Sequence, residues 1–296
     1  MNRRSGPFRT GWLGAAMLLP AVLFIAALVG VPFLLAIVYS VSDVKVASDE
    51  MRFVGLRNFA DVLASPAFQK ALRNSFLFTI LSQVLVLVGA TTLALALKEA
   101  FRTRGLIRFL ILLPWVAPIS LGSIGWKWLL DSIYSVFNWF LMRLHLVESP
   151  PMWLGEPALA IGSVVLVHTW RMLPFATVVL LAGLTSIPKD IPEAAAVDGA
   201  GFWRTHFQIT LPMIRPIVTV AVLFGVIFTF TDMTVVYILT RGGPYDTTQV
   251  LPSLAFLTGI LGGDLAAGAA ISLFLFPLLL VVAWVMLRVA RRSIVT

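Results

Sequence analysis

The hydrophobic and polar positions of this chain form long apolar stretches separated by short polar ones. Four stretches contain no charged residue, and two more contain a single one, Arg171 or Asp232. Each is long enough to cross a bilayer as a helix, which takes about 20 apolar residues. A membrane β-barrel would instead alternate polarity in segments of about ten residues. The pattern predicts six helical spans at residues 14–40, 74–97, 107–130, 158–186, 213–239 and 265–288.

The composition agrees with a membrane protein. Of the 296 residues, 59% are hydrophobic and 12% are charged, and the mean hydropathy is +0.95. Soluble domains carry about 25% charged residues, so a water-soluble enzyme and a disordered chain are both excluded. We therefore predict an all-α membrane protein with a single transmembrane domain over residues 1–296. Cysteine is absent, which excludes disulfides and thiolate chemistry.

The basic residues predict the orientation of the spans. If the N-terminus is inside, the inner segments hold 13 basic and 4 acidic residues, and the outer segments hold 8 and 9. The positive-inside rule then places both termini in the cytoplasm. It also accounts for the net charge of +8 without a nucleic-acid partner. Arg3, Arg4 and Arg9 resemble the start of a signal peptide, but the apolar run that follows is too long for one, so we predict a retained span.

Motifs for catalysis and metal binding are missing from the sequence. There is no G-x-x-x-x-G-K-[ST] loop for ATP phosphates and no G-x-S-x-G nucleophile elbow. His145, His168 and His206 lack the i, i+4 spacing of a metal pair. Ser163 and His168 are five residues apart and do not share a helix face. We predict no catalytic residue, metal site or cofactor on this chain.

The polar segment between the fourth and fifth spans, residues 187–212, has the pattern of a helix–turn–helix. Asp190 is the predicted N-cap of the first helix, and Gly199 and Gly201 are predicted to end it. Aromatic residues cluster in the second helix, namely Phe202, Trp203, His206 and Phe207. An apolar hairpin of this kind packs either against the membrane or its own bundle, or into a groove on a partner protein. Composition alone leaves both open.

The same segment resembles the EAA signature of binding-protein-dependent ABC transporter permeases. The pattern runs Glu193-Ala194-Ala195, three residues, Gly199, nine residues, Ile209, one residue, and Leu211-Pro212. Residues 53–59 with 71–75, and residues 230–244, resemble segments of the maltose and glycerol-phosphate type of permease. The chain lacks the large extra outside domain of the larger maltose permease subunit.

This resemblance implies a type I ABC importer permease fold in a bacterial or archaeal cytoplasmic membrane. The chain would import sugars or polyols together with a second permease, two ATPase subunits and a periplasmic or lipid-anchored solute-binding protein. ATP and Mg²⁺ would bind the ATPase subunits, and membrane lipid would surround the spans. The residues that would contact the ATPase are Glu193, Ala194, Ala195, Asp198, Gly199, Phe202, Trp203, Ile209, Leu211 and Pro212.

Two charges lie well inside predicted spans, more than one helical turn from either end, where each costs about 2.5–3.5 kcal/mol. Arg171 and Asp232 either form a structural ion pair between spans four and five, or line the solute path and bind its hydroxyl groups. Pro118 and Pro174 each free a backbone carbonyl, which is tolerated only beside protein or a water-filled cavity. The candidate path residues are Gln83, Trp126, Trp170, Arg171, Pro174, Thr229, Thr231 and Asp232.

An ion-coupled secondary carrier is the alternative function. Such carriers place acidic or histidine relays inside the membrane, whereas Asp232 is the only acidic residue in a predicted span. A third alternative is a structural membrane protein, for which the spacing in the loop would be a coincidence.

Overall fold

Most of the residues that the computed structural model describes, 11–46, 51–99 and 101–294, are helical. Arg3, Arg4 and Arg9 of the predicted inner segment lie outside these residues. The long helices are α1 (Gly11–Ile25), α2 (Val31–Ser40), α4 (Pro66–Lys98), α5 (Arg104–Val116), α6 (Ile119–Leu129), α8 (Pro157–Ser186), α12 (Arg215–Thr231) and α15 (Leu265–Ile294). The shorter ones are α3 (Arg57–Ala64), α7 (Val136–Arg143), α9 (Asp190–Val197), α10 (Phe202–Arg204), α11 (Leu211–Met213), α13 (Thr234–Leu239) and α14 (Leu251–Phe256).

Helices are present at all six predicted spans. In the described part of the chain, four uninterrupted helices are long and apolar enough to cross a membrane, and two bent pairs raise the total to as many as six. The first of the four is α1 joined to α2 through a π-helical turn, Ala26–Gly30. The predicted all-α fold is confirmed, and the two bent pairs are where the structure departs from six plain spans.

The third predicted span is not continuous. α5 and α6 meet at an angle of 97° around Ala117 and Pro118. Pro118 has no amide hydrogen to donate, and a residue before proline avoids the helical region. Ala117 accordingly has an extended backbone, with φ −65° and ψ 142°. Pro174, the other proline considered above, is accommodated within the continuous helix α8.

The fifth predicted span is interrupted twice. Residues 202–213 and α12 meet at 75° around Ile214. At its other end α12 stops at Thr231, because Asp232 is extended and its Oδ1 accepts a hydrogen bond from the backbone N–H of Thr234, at 2.8 Å. Aspartate often caps the backbone in this way, which competes with helix continuation. The carboxylate that the sequence places inside a span therefore ends one helix and starts α13.

Small residues allow α4 and α8 to approach closely at the centre of the bundle. Ala90 and Ala94 of α4 and Ala176 of α8 are buried. A β-carbon on Gly89 would lie only 2.7 Å from Leu173 Cδ1. Transmembrane helices associate through such small residues because lipid provides no hydrophobic driving force between them. α12 packs against both helices, and α15 packs against α12 and α2.

A two-stranded ribbon follows the first span and was not predicted. β1 (Ser42–Asp43) pairs antiparallel with β2 (Arg52–Phe53), with Ser42 opposite Phe53. Asn58 of α3 holds the ribbon in place, because its Nδ2 donates to the carbonyl oxygens of Ser40 and Ser42 at 2.9 and 2.8 Å.

A compact loop joins α13 to α14 and contains four residues with positive φ, Arg241, Gly242, Tyr245 and Asp246. Gln249 is buried in this loop, and Asn74 Nδ2 donates to its carbonyl oxygen at 3.1 Å. Gly242 has φ +89°, and a β-carbon at this position would overlap Oε1 of Gln249. The loop conformation therefore requires glycine at position 242 for two separate reasons.

We expect Gly242→Ala to lower the midpoint of thermal unfolding more than Gly55→Ala does. Both glycines have a left-handed backbone conformation, which any residue with a side chain adopts only at a cost of about 1–2 kcal/mol. Gly55 has φ +61° and open space around it, so only Gly242 adds a steric clash, worth about 1–3 kcal/mol. Tryptophan fluorescence of the two purified variants measures the difference. Equal midpoints would contradict the importance of the Gln249 contact.

Candidate functional site

A cluster of charged and polar side chains lies between α8 and the end of α12. Asp232 Oδ2 accepts hydrogen bonds from Arg171 Nη1 at 2.8 Å and from His168 Nδ1 at 3.2 Å. His168 and Arg171 are three residues apart on α8 and therefore share a face. The side chains of His168 and Asp232 are 0% and 7% exposed, whereas that of Arg171 is 27% exposed. Arg171 and Asp232, which the sequence places in neighbouring spans, thus form an ion pair.

The cluster continues through α12 to α4. Thr229 Oγ1 lies 2.9 Å from His168 Nε2, accepts from Gln83 Nε2 at 3.0 Å, and donates to the carbonyl oxygen of Gly225 at 2.7 Å. A β-carbon on Gly225 would overlap the amide group of Gln83, so glycine makes room for this contact. Gln83 and Thr229 were predicted, whereas His168 and Gly225 were missed. The available signal for His168 was its position one helical turn before a charged residue.

The hydrogen bonds show that Asp232 is fully occupied by protein groups, whereas Arg171 has N–H groups left over. Both carboxylate oxygens of Asp232 are occupied by Arg171, His168 and the Thr234 amide. A carboxylate only accepts hydrogen bonds, so His168 carries a hydrogen on Nδ1. Arg171 uses Nη1 for the ion pair, and its guanidinium has further N–H groups and a partly exposed surface. Arg171 is therefore the member of the pair that can donate to a solute.

The remaining predicted path residues lie around this cluster rather than in it. Trp126 and Trp170 contact each other edge to face, with ring centroids 5.6 Å apart. Pro174 is buried within α8. Thr231 is exposed, and its hydroxyl donates to the carbonyl oxygen of Ile227 at 2.8 Å.

An aromatic face that was not predicted from sequence begins one helical turn from the ion pair. Phe175 follows Arg171 by four residues on α8, and Phe228 precedes Asp232 by four on α12. The two rings lie 5.8 Å apart between centroids, and Trp115 of α5 stacks on Phe175 at 5.1 Å. Trp115 and Phe228 are more than one-third exposed. No sequence periodicity links residues on three separate helices, so only the fold brings them together.

The hairpin formed by α9, the turn after it and α10 is the second candidate site. Lys189, and not Asp190, is the N-cap of α9, and no side chain caps this helix. The prediction for Asp190 is therefore wrong: it is the first helical residue, where its negative charge still favours the helix N-terminus. At the other end Gly199 has φ +78°. The amide hydrogens of Gly199 and Ala200 bond to the carbonyl oxygens of Ala196 and Ala195 at 3.1 and 2.9 Å.

These two bonds form a Schellman motif, which needs a left-handed residue at the position of Gly199. Gly201, by contrast, has φ −70° and needs no special conformation. The space around both glycines is open to 4 Å. The left-handed backbone conformation explains why glycine is needed at position 199. The open space around it leaves room for another protein chain to approach the hairpin backbone.

The EAA residues fall on two sides of the hairpin. Ala195 is buried, and Ile209 and Leu211 are half-buried, so these three support the hairpin. The exposed members are Glu193, Ala194, Asp198, Gly199, Phe202, Trp203 and Pro212. Val197 is 88% exposed at the end of α9 and extends the outer surface, although it was not predicted. The hairpin and the segment after it thus expose small, acidic and large apolar side chains, and Phe202, Trp203 and Pro212 among them line a cavity next to α4.

A π-helical turn, Thr205–Thr210, links α10 to α11. His206 within it is buried, its ring stacks against Phe202, and burial lowers its pKa. An open cavity of about 760 Å³ separates this turn from α4. In the described part of the chain, no group of three or more His, Asp and Glu side chains is placed to hold a metal ion.

Residues 86–295 match the protein family described as binding-protein-dependent transport system inner membrane component. The trehalose/maltose transport system permease protein of Thermococcus litoralis is 34% identical over 284 residues, which cover 96% of this chain and 95% of that protein. The sulfoquinovosyl glycerol transport system permease protein of Agrobacterium fabrum is 29% identical over 280 residues, with 94% and 90% covered.

The fold also matches solved structures. A bacterial ABC transporter involved in the import of the acidic polysaccharide alginate superimposes with a TM-score of 0.82 at 22% identity, over 95% of this chain and 96% of that one. The bacterial alginate transporter in complex with a periplasmic protein that holds an alginate pentasaccharide superimposes equally well, at 23% identity. The type I importer permease fold predicted above is confirmed.

Proposed function

Because this chain belongs to the family of inner membrane components of binding-protein-dependent transport systems, we propose that it is one of two permease subunits of an ATP-driven sugar importer. Sugars are named in its relatives, which transport trehalose and maltose or sulfoquinovosyl glycerol. A solute-binding protein would deliver the sugar from outside, as the periplasmic protein in the alginate transporter complex suggests. Both termini would be cytoplasmic, in line with the distribution of basic residues.

The exposed hairpin is the observation that carries this proposal. Two ATPase subunits would bind ATP and Mg²⁺, and one of them would receive α9 in a surface groove. Small residues such as Ala194 and Gly199 allow a groove wall to approach the helix backbone closely. Val197 and Trp203 supply apolar area that is otherwise left in water. Closure of the ATPase pair would then move the hairpin and the helices attached to it.

The solute path would follow Arg171 and the aromatic face. A sugar presents hydroxyl groups around its edge and C–H groups on its faces, so it fits a surface with a few hydrogen-bond donors among aromatic rings. Arg171 offers N–H groups, and Trp115, Phe175 and Phe228 offer ring faces nearby. A partly exposed guanidinium at this depth cannot face lipid without a large free-energy cost, which favours a path or a partner subunit on this side.

We expect Gly199→Asp to lower sugar uptake at least about tenfold while the protein stays folded in the membrane. Aspartate tolerates left-handed φ better than most residues, so the main effect is a charged side chain between the hairpin and the ATPase. Gly55→Asp is the matched control, since Gly55 is also left-handed and open but lies outside the hairpin. Uptake by both variants, normalised to protein in the membrane, tests coupling. Normal uptake by Gly199→Asp would contradict it.

The energy source distinguishes the importer from an ion-coupled carrier. In membrane vesicles with ATP inside and ion gradients collapsed by ionophores, we expect uptake of trehalose or maltose to continue, provided the binding protein is present. If uptake stops when the ion gradients are collapsed, and adding ATP does not restore it, the secondary carrier would be supported instead.

A further inference from the structure

The link between α4 and α5 concentrates positive charge. Lys98, Arg102, Arg104 and Arg108 lie within 11 residues of chain, with Glu99 as the only acidic residue among them. Within the described part of the protein, none of these four side chains forms a salt bridge or hydrogen bond. The Nε atoms of Arg104 and Arg108 are buried and have no hydrogen-bond partner. These guanidinium groups therefore have hydrogen-bond donors that no group among the described residues accepts from.

The course of α5 places these cations at a membrane surface. α4 is a 33-residue apolar helix, and α5 begins six residues after it ends. The start of α5 therefore lies near the surface where α4 leaves the membrane. Because α5 and α6 meet at 97°, at most one of them can run along the membrane normal.

The side chains of α5 divide between protein and lipid. Arg104, Arg108 and Ile111 lie at i, i+4 and i+7 and are half-buried, so this stripe lies at the edge of the bundle. Leu106, Phe109 and Leu110 on the rest of the helix are at least half exposed. A helix that combines basic residues with large exposed apolar ones is typical of the boundary between headgroups and acyl chains.

We propose that the basic residues of the α4–α5 link and the first turns of α5 bind the phosphate group of an anionic phospholipid. The headgroup would lie against Arg104 and Arg108, and the acyl chains would pass over Ile107 and Leu112, which flank this stripe on α5 and are partly exposed. Clusters of arginine and lysine next to a transmembrane helix attract anionic lipid, with each residue contributing to the affinity. A water-soluble ATPase could neutralise the charges, but it would leave the apolar residues of the same helix uncovered.

The test uses the assembled transporter in phosphatidylcholine vesicles that contain a varied fraction of pyrene-labelled phosphatidylglycerol. Energy transfer from the tryptophans, including Trp115 on α5, to pyrene reports how strongly phosphatidylglycerol is enriched around the protein over phosphatidylcholine, which we call lipid selection. We expect Arg104→Gln/Arg108→Gln to weaken this selection about 30-fold, the factor for two surface cations. Arg57→Gln/Arg143→Gln removes the same charge from two exposed positions outside any such basic cluster and should leave selection unchanged. Equal selection by the two double variants would overturn the proposal.

Two measurements on the unmodified protein keep the proposal testable if the variant fails to assemble. Selection should weaken as salt is raised, because screening acts on exposed charges, and salt-independent selection would overturn the proposal. Millimolar inorganic phosphate should not displace the labelled lipid, whereas displacement would mean that the site takes free phosphate. Gly199→Asp should select lipid normally, so failure of this proposal and failure of the proposed transport function can be told apart.

Discussion

Asp232→Ala is expected to destabilise the protein by about 3 kcal/mol, because it leaves the guanidinium of Arg171 without its counter-charge. Breaking a buried ion pair by removing one partner costs about 3–5 kcal/mol. The lower end of that range applies here, since Arg171 is 27% exposed and retains some solvation. The same substitution also removes the hydrogen bond that Asp232 Oδ1 accepts from the amide of Thr234. Denaturant unfolding followed by tryptophan fluorescence gives the change in the free energy of unfolding.

A double-mutant cycle separates the two contributions of Asp232. Asp232→Asn keeps an oxygen that can accept from Thr234 and removes the charge, so it isolates the ion pair. Arg171→Gln removes the other charge and leaves the carboxylate buried. If the pair interacts as the 2.8 Å distance indicates, the variant with both substitutions should lose clearly less stability than the sum of the single losses. Strictly additive losses would show that Arg171 and Asp232 act independently.

Gly268→Ala is expected to reduce stability by about 3 kcal/mol, the upper end of the range for overpacking. Gly268 lies near the start of α15 and faces Gly259 in the π-helical turn Leu257–Leu261. An added β-carbon would overlap the α-carbon of Gly259 and would lie 3.0 Å from the carbonyl oxygen of Ala255. These are backbone atoms, which cannot rotate away as a side chain could. The backbone of α15 and that of the turn around Gly259 would therefore have to move apart.

Gly162→Ala is the matched control for this prediction. Gly162 lies within α8, and a β-carbon there would meet nothing within 4 Å. Alanine is the better helix former by about 0.5–1 kcal/mol, so this variant should be as stable as the parent or more stable. The yield of monodisperse protein from membranes and its unfolding midpoint compare the two. A Gly268→Ala variant that behaves like Gly162→Ala would show that the two helices are less tightly packed than the structure indicates.

Hydropathy was enough to predict helices at the six spans, because a bilayer imposes both the length and the apolar character of each span. It could not place the breaks. The one at Ala117 depends on Pro118, yet Pro174 in an equally apolar helix leaves α8 intact. Neighbouring helices decide which proline interrupts its span, and a single sequence does not identify those neighbours. The break at Asp232 could be anticipated only by treating an intramembrane carboxylate as a capping residue.

The two candidate sites differed in how far they could be predicted. The hairpin is local in sequence, so the spacing from Glu193 to Pro212 and the turn at Gly199 were visible directly. The polar cluster joins residues that are 61 positions apart or more, such as His168 with Thr229 and Gln83 with Thr229. Arg171 and Asp232 were conspicuous because charge is costly in a membrane. Phe228 carries no such mark, and His168 has only its position one helical turn before Arg171, so the packing of α8 on α12 is what brings both to the cluster.

The continuity of α8 has a mechanical consequence. Its 30 residues extend about 45 Å, and the stretch from Arg171 to Ser186 accounts for about 22 Å of that length. Only three residues separate its last turn from α9, so a movement of the hairpin would reach Arg171 through one continuous helix. The connection from the hairpin to α12, by contrast, contains the π-helical turn Thr205–Thr210 and a 75° bend at Ile214. If the ATPase moves the hairpin as proposed, its α8 side would transmit the displacement toward the ion pair, and its Ile214 side would take it up by bending.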